Sequence, residues 1–96
     1  MRIQWSPLAI ERVAEIAAFI AEDNPCAAEK WVRAAFARVG QLRQFPKSGR
    51  RIPESPRPDL RELVWGNYRI IYRREARRIS ILTVRHMKQI LPLEEL

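Results

Sequence analysis

The hydrophobic positions in the first half of the chain recur every three or four residues, which is the period of an amphipathic helix. Ser6 is followed by a proline, a typical helix start, and we predict a first helix over residues 7–23. Asn24 and its following proline repeat the start signal, and we predict a second helix over residues 25–44. Two helices joined this closely form an antiparallel hairpin. The apolar stripe consists of Ile10, Val13, Ile16, Ala17, Ile20, Ala28, Trp31, Val32, Ala35, Phe36, Val39 and Leu42.

Alternating apolar and polar residues predict four short strands. One lies at residues 2–5, and three more lie at residues 60–65, 68–74 and 78–85. Gly66 adopts positive φ at little cost, so its position between two of these runs favours a hairpin. The strand at residues 68–74 has one predicted apolar face and one predicted basic face. The first face holds Tyr68, Ile70 and Tyr72, and the second holds Arg69, Ile71 and Arg73.

Two segments of the chain lack any hydrophobic period. Residues 45–59 contain four prolines and are predicted to form an ordered loop, long enough to suggest a function. Residues 87–96 form a predicted tail, whose leucines either dock or stay mobile. We therefore predict one domain over residues 1–96 of the α+β class, in the order β-α-α-β-β-β. Its helical hairpin packs on one side of a small, mostly antiparallel sheet, and the opposite face is left partly open.

Composition narrows the possible functions of the chain. It has 96 residues, of which 47% are hydrophobic, enough for a thin core. No apolar run approaches the roughly 20 residues of a membrane span, and the N-terminal residues lack a signal-peptide pattern, so we expect a cytoplasmic protein with no membrane partner. One cysteine and one histidine cannot build a zinc site or a disulfide framework. We expect no metal and no cofactor.

The net charge of +7 is distributed unevenly along the chain. Basic and acidic side chains are equal in number over residues 1–42, so residues 43–96 carry the whole excess. Arginine greatly outnumbers lysine, and its planar guanidinium forms bidentate contacts with carboxylates and phosphates. These features favour an anionic partner, either nucleic acid or an acidic protein segment. A generally basic surface is the alternative.

The strand arginines are the candidates for binding such a partner. Cross-strand neighbours lie about 5 Å apart, so arginines on adjacent strands would converge into a cationic patch on the open face. Alternatively, they are solvated positions whose long stems cover apolar surface. The candidate residues are Arg61, Arg69, Arg73, Arg85 and His86.

His86 ends the last predicted strand and is the side chain that ordinarily titrates near neutral pH. With Glu54 or Glu62 nearby, it would suit acid and base catalysis on RNA. A hydrogen-bonded residue at a strand end is the alternative role. Cys26 has no neighbouring histidine or second cysteine in the sequence, and we interpret it as an incidental small residue.

Six segments of the chain are informative together, namely residues 5–9, 20–25, 45–50, 60–63, 66–73 and 81–86. In this order they resemble the ParE branch of the RelE/ParE toxins. Together they extend over nearly the whole chain, and the family fold has the same β-α-α-β-β-β order that the hydrophobic pattern predicts.

The resemblance implies a toxin of a bacterial type II toxin-antitoxin pair, a class associated with plasmid stabilisation. ParE toxins inhibit DNA gyrase by binding and trap it on cleaved DNA, and they are not nucleases. RelE toxins instead cleave mRNA in the ribosome. A cognate antitoxin, acidic in its C-terminal part, neutralises either kind, so the resemblance also implies a hetero-oligomer with that antitoxin.

The resemblance further separates gyrase binding from mRNA cleavage. The catalytic arginine of RelE-type nucleases corresponds to Arg69, but the basic residues of the preceding strand are matched only by Arg61, and the C-terminal tyrosine has no counterpart. Another nuclease branch uses a glutamate, an arginine and a histidine, which Glu54, Arg69 and His86 would supply. We therefore expect a gyrase-binding toxin with no catalytic residues. The alternatives are a ribosome-dependent mRNA endoribonuclease and a basic adaptor without toxicity.

Overall fold

In the computed structural model, which describes all 96 residues, two capped helices form the first half of the chain. Helix α1 (Pro7–Asp23) and helix α2 (Pro25–Gly40) each begin at a proline. The Ser6 hydroxyl and the Asn24 side-chain oxygen each accept the N–H three residues on, at 2.9 and 3.1 Å. Such a cap stabilises a helix by about 1 kcal/mol. The second helix ends before the predicted residue 44, because the chain tightens into a 3-10 turn at Gln41–Arg43.

Five strands form one mixed sheet in the order β1-β5-β4-β3-β2. The first strand lies parallel to the last, and the other pairs are antiparallel. The helices pack on this sheet, so the predicted α+β class and mostly antiparallel architecture are confirmed. The strands are β1 (Arg2–Trp5), β2 (Arg50–Arg51), β3 (Leu60–Trp65), β4 (Tyr68–Arg74) and β5 (Arg78–His86).

Strand β2 lies within the segment predicted to be a loop. Arg50 pairs with Glu62 and Arg51 pairs with Arg61, which adds a two-residue edge strand to the predicted order. The tail at residues 87–96 also has local structure, a 3-10 turn at Leu93–Glu95. Neither feature could be predicted from a hydrophobic period, because both are fixed by pairing and packing with residues that are distant in the sequence.

The main core lies between the sheet and the helices. Ile70 and Tyr72 of β4 are fully buried there, on the face predicted to be apolar. Ala9 and Val13 of α1 and Val39 of α2 belong to the same cluster. The apolar stripe of the helices therefore meets the apolar face of the sheet, although its predicted members Ile10 and Phe36 are 45% and 42% exposed.

Tyr72 also fastens the proline-rich segment to this core. Its hydroxyl donates to the Pro46 carbonyl at 3.0 Å and accepts the Gly49 N–H at 2.9 Å. A Cβ at Gly49 would lie 2.5 Å from that hydroxyl, so only glycine fits at this close approach. Burial raises the pKa of Tyr72 above its usual value, so the hydroxyl keeps its proton as a donor.

The face of the sheet opposite the helices, here the second face, is covered rather than partly open. Ile71 lies in a buried cluster with Ile52 from the proline-rich segment and Leu91 from the tail. Leu96 packs against the same cluster, whereas Leu93 remains 64% exposed. The prediction of a basic open face was wrong because two segments without periodicity supply a second, smaller core.

A β-bulge in β5 changes which side chains reach each face. Ile71 of β4 pairs with Thr83, but the next residue, Tyr72, pairs with Ile81, so Leu82 is an extra residue. The bulge keeps Ile81 on the helix side and places Thr83 opposite Ile71 on the second face. Arg85, two residues further along, is on the second face for the same reason.

Candidate functional site

The arginines predicted to converge do not form one free cationic patch. Strand register pairs Arg69 with Arg85 on the second face, but Arg61 pairs with Tyr72 and therefore lies on the helix side. Arg73 is four residues along β4 from Arg69, about 13 Å away. Each of these side chains also has a partner within the protein, so the patch predicted from strand phase is absent.

Arg69 lies between two glutamates and is only 6% exposed. Its Nε donates to Glu62 at 2.5 Å, and its two terminal nitrogens donate to the carboxylate of Glu54 at 2.6 and 2.7 Å. Glu62 is 1% exposed and also accepts from Arg50 at 2.7 Å. Bidentate, charge-assisted pairs of this kind are stronger than neutral hydrogen bonds. The network therefore attaches the proline-rich segment to β3 and β4.

The charges in this network stabilise one another. Hydrogen bonding to Glu54 raises the pKa of Arg69 above its usual value, and the same hydrogen bonds lower the pKa of Glu54. Removing one partner of a buried pair leaves an uncompensated charge, which costs about 3–5 kcal/mol. The hydrogen-bond donors of the Arg69 guanidinium are thus used by Glu54 and Glu62 within the protein.

A second ion-pair cluster holds the tail against the sheet. The Glu95 carboxylate accepts from Arg12 at 2.9 Å, from the Thr83 hydroxyl at 2.6 Å and from Arg85 Nε at 3.1 Å. Burial alone would raise the pKa of Glu95, but these hydrogen bonds outweigh burial and lower that pKa to about 2. The cluster connects α1, β5 and the tail, so Arg85 has a structural partner.

The two other candidate arginines have weaker partners. Arg61 donates to the Gly49 carbonyl at 2.8 Å, which adds to the attachment of the proline-rich segment. Arg73 lies 3.9 Å from Glu75, and about a third of its side chain is exposed. Its guanidinium is therefore the most available of the four predicted arginines for an external partner.

A groove of about 380 Å³ opens between α1 and the ends of β4 and β5. His86 and Tyr68 line it with their rings in edge-to-face contact, 5.3 Å between centroids. Arg85 borders the groove, as does Phe19 of α1, which is 69% exposed. Concave surfaces with apolar walls and a few polar groups are typical of binding sites. This groove combines them with the two candidate residues Arg85 and His86.

The three residues of the nuclease alternative do not share one site. Glu54 and Arg69 are paired with each other, but His86 pairs in register with Tyr68 and lies on the helix side of the sheet. The His86 Nδ1 accepts the N–H of Lys88 at 3.0 Å, a contact within the strand end. Acid and base catalysts must reach the same substrate within hydrogen-bond distance. Here the sheet separates the histidine from the other two residues.

Thr83 and Glu95 were not among the predicted site residues, and Glu62 was named only as a possible partner of the histidine. Glu62 alternates with Leu60 and Val64, so an acid at a core-facing position was the signal that a buried partner was required. Thr83 and Glu95 carried no comparable signal, because the bulge and the docked tail bring them together. No group of three or more His, Cys, Asp or Glu side chains is arranged to hold a metal ion, and no helix is long and apolar enough to cross a membrane.

One protein family and two individual proteins match the chain over nearly its whole length. Residues 3–91 match the family described as "ParE toxin of type II toxin-antitoxin system, parDE". A protein of Sinorhizobium fredii described as "Putative toxin Y4kP" is 40% identical over 92 residues, which are 92% of this chain and 90% of that protein. A chain of the solved "Chromosomal ParDE TA system from P. aeruginosa" has a TM-score of 0.76 at 23% identity, over 92% of this chain and 97% of that chain.

The family match defines the chain as a toxin of the type II toxin-antitoxin class. Within that class, the chain belongs to the ParE toxin family, since the family match covers far more than half of its residues. The resemblance found in the sequence is confirmed, and the structural match supports the same fold.

Proposed function

We propose that this ParE-type toxin inhibits DNA gyrase by binding to it in the cytoplasm, and that a cognate acidic antitoxin neutralises it. Family membership supports the toxin class, and the family resemblance suggests gyrase as the target. The observation that favours binding over mRNA cleavage is the burial of Arg69. The residue is 6% exposed, and both terminal guanidinium nitrogens donate to the Glu54 carboxylate. To contact RNA phosphate, this arginine would have to break a buried pair, at a cost of about 3–5 kcal/mol.

The groove beside α1 is the surface we propose for the antitoxin. An acidic segment with apolar side chains would place the apolar groups against Phe19 and Tyr68 and its carboxylates near Arg85 and His86. The net charge of +7 favours such a partner, because opposite charges speed association and select the partner. Of the five predicted binding residues, this proposal retains Arg85 and His86. The toxin and antitoxin would then form a hetero-oligomer.

The target is tested with purified toxin in two parallel assays. One follows supercoiling of relaxed plasmid by gyrase, and the other follows cleavage of mRNA on translating ribosomes. We expect the toxin to inhibit supercoiling and leave the mRNA intact. Cleaved mRNA with unaffected supercoiling would contradict the proposal and support the nuclease alternative.

A double variant, Glu54→Gln with His86→Ala, sharpens this test because it keeps Arg69 and its partner Glu62. A binding toxin needs neither altered group for acid or base chemistry, so inhibition of gyrase should remain within about threefold of wild type. The matched control is Glu29→Gln with Arg33→Ala, which alters an exposed pair on α2. Loss of inhibition in the first variant alone, with an unchanged circular dichroism spectrum, would show that these groups act on the target.

A further inference from the structure

The end of the sheet opposite the groove gathers five arginines around one glutamate. Residues 73–78 form the end of β4, the following turn and the start of β5, and they contain four of these arginines. The fifth belongs to β1 and is the register partner of the first residue of β5. We call this surface the arginine turn. It consists of Arg2, Arg73, Arg74, Arg77 and Arg78, together with Glu75.

The arginine turn holds more than half of the charge excess of the whole chain. Its five arginines and one glutamate give +4, against +7 for the protein. Arg57 and Asp59, which precede β3, form their own pair at 2.6 Å and cancel. Residues 73–78 supply +3 of the +7 excess of residues 43–96, and Arg2 adds a further positive charge at the same end of the fold.

Internal ion pairs do not neutralise this surface. Glu75 accepts from Arg78 at 3.1 Å and from the Ser80 hydroxyl, and Arg73 is 3.9 Å away. No carboxylate lies within 4.0 Å of the other three arginines, and one of them, Arg74, has a buried Nε without a hydrogen-bond partner. The register also places Arg2 beside Arg78. Like charges on neighbouring strands destabilise a sheet, so fold stability does not explain this arrangement.

The chemistry of the arginine turn fits a phosphate backbone better than a protein segment. The anchors of protein interfaces combine arginine with buried aromatic side chains, and residues 73–78 contain no aromatic or large apolar side chain. The groove with such anchors lies at the other end of β5, about 26 Å away. Contact with duplex DNA needs only exposed, closely spaced cations, because phosphates supply most of the non-specific affinity. Arg2, Arg77 and Arg78 are all exposed.

We propose that the arginine turn binds the phosphate backbone of duplex DNA. This contact is separate from the proposed binding of gyrase, and it leaves the groove free for the antitoxin. It involves no base recognition, because a convex turn of arginines presents positive charge without a helix or strand to enter the major groove. The affinity is therefore independent of sequence and falls steeply with salt.

The test measures binding of purified toxin to a fluorescent duplex of about 20 base pairs at several salt concentrations, without gyrase. The variant Arg2→Glu with Arg77→Glu lowers the net charge by four at the arginine turn. The control variant Lys30→Glu with Arg38→Glu lowers it equally on exposed positions of α2, where neither residue has an ion pair. Thermal unfolding verifies that both variants are folded.

We expect the arginine-turn variant to lose at least about tenfold in affinity and about two units of salt slope, since each lost phosphate contact removes about 0.9. The control should lose less than about threefold. Equal losses in the two variants, or no binding by wild type in low salt, would overturn the proposal. Tighter binding of poly-glutamate than of DNA, lost in the same variant, would also overturn it and assign the surface to an acidic protein. Since the assay lacks gyrase, none of these outcomes depends on the proposed target.

Discussion

The arginines of this toxin differ widely in how firmly the protein holds them. Arg69 is enclosed by two carboxylates, and Arg85 shares the Glu95 cluster, whereas Arg77 is exposed and has no acid within ion-pair distance. Buried pairs are costly to break, but exposed arginines exchange water for a partner at little cost. The number of arginines in the sequence therefore overstates the cationic surface that a partner can use.

Glu95→Gln should make the free energy of unfolding less dependent on pH in the acidic range. The pKa of Glu95 is about 2 in the folded protein, below its ordinary 4.5, so the ionised carboxylate stabilises the fold. That contribution is complete above pH of about 4.5 and is lost as the pH falls towards 2. We expect the variant to be less stable by about 1–2 kcal/mol at neutral pH, with the difference shrinking below pH 4.5. Urea unfolding across this pH range measures it.

The neighbouring Glu94→Gln is the control for this prediction, because Glu94 is exposed and forms no ion pair. Its stability should match that of wild type at each pH within about 0.5 kcal/mol. A deficit in Glu95→Gln that stays constant from neutral to acidic pH would contradict the role assigned to the carboxylate charge.

Which residues form the polar clusters was only partly predictable. Alternation along β4 correctly placed Arg69 and Ile71 on the same face, since strand periodicity is a local property. The partners of Arg69 come from residues 7 and 15 positions away, and Glu95 reaches Arg12 across 83 positions. Pairing over such distances depends on register and packing, which no local pattern records.

At the scale of elements, two irregular segments cover the second face of the sheet. The proline-rich segment contributes Ile52 and the tail contributes Leu91, and both pack against β4. Hydrogen bonds to Tyr72 and ion pairs to Arg69 and Arg85 hold these segments in place. Segments with little regular structure thus form a third layer of the fold.

Leu91→Ala should destabilise the protein, because the side chain is 4% exposed in the second core. We expect a loss of about 2 kcal/mol in the free energy of unfolding, the low end for a buried leucine, since the tail can partly collapse into the space. Leu93→Ala is the matched control, with the same chemical change at a 64% exposed site, and should cost less than about 0.5 kcal/mol. Urea denaturation compares them, and equal losses would show that the tail is not docked in solution.

The helices were more predictable than the edges of the sheet. Ser6 and Asn24 cap helices within three residues of themselves, so the sequence alone located both starts. The end of α2 is a change to a local 3-10 turn within the apolar stripe, and the strand β2 and the bulge at Leu82 depend on contacts with residues far along the chain. Those features therefore appeared only in the structure.

At the scale of the whole molecule, the charged and apolar binding features lie at opposite ends. The groove is beside the end of β5 at His86, and the arginine turn is at its start, Arg78. A partner bound at one end leaves the other exposed. The geometry thus suits simultaneous contact with two partners of different chemistry.

Antitoxin binding should weaken with salt. The whole chain carries +7, so long-range electrostatic attraction contributes to association with an acidic partner. We expect the dissociation constant to rise at least about tenfold between about 50 mM and about 500 mM salt, mostly through slower association. Titration calorimetry and stopped-flow mixing measure both. An affinity unchanged by salt would indicate that apolar docking alone holds the antitoxin.

The parallel pairing of β1 with β5 has a consequence for how the toxin is made. Arg2 finds its register partner, Arg78, only after 76 further residues have been synthesised, a delay of about 4–15 s at usual elongation rates. The helical hairpin can form earlier from local contacts, but its apolar stripe has no sheet to cover until β4 and β5 emerge. A nascent toxin therefore cannot acquire its native surface until translation is nearly over. While these residues are being synthesised, an antitoxin already present in the cell has time to reach the new chain and bind it as folding is completed.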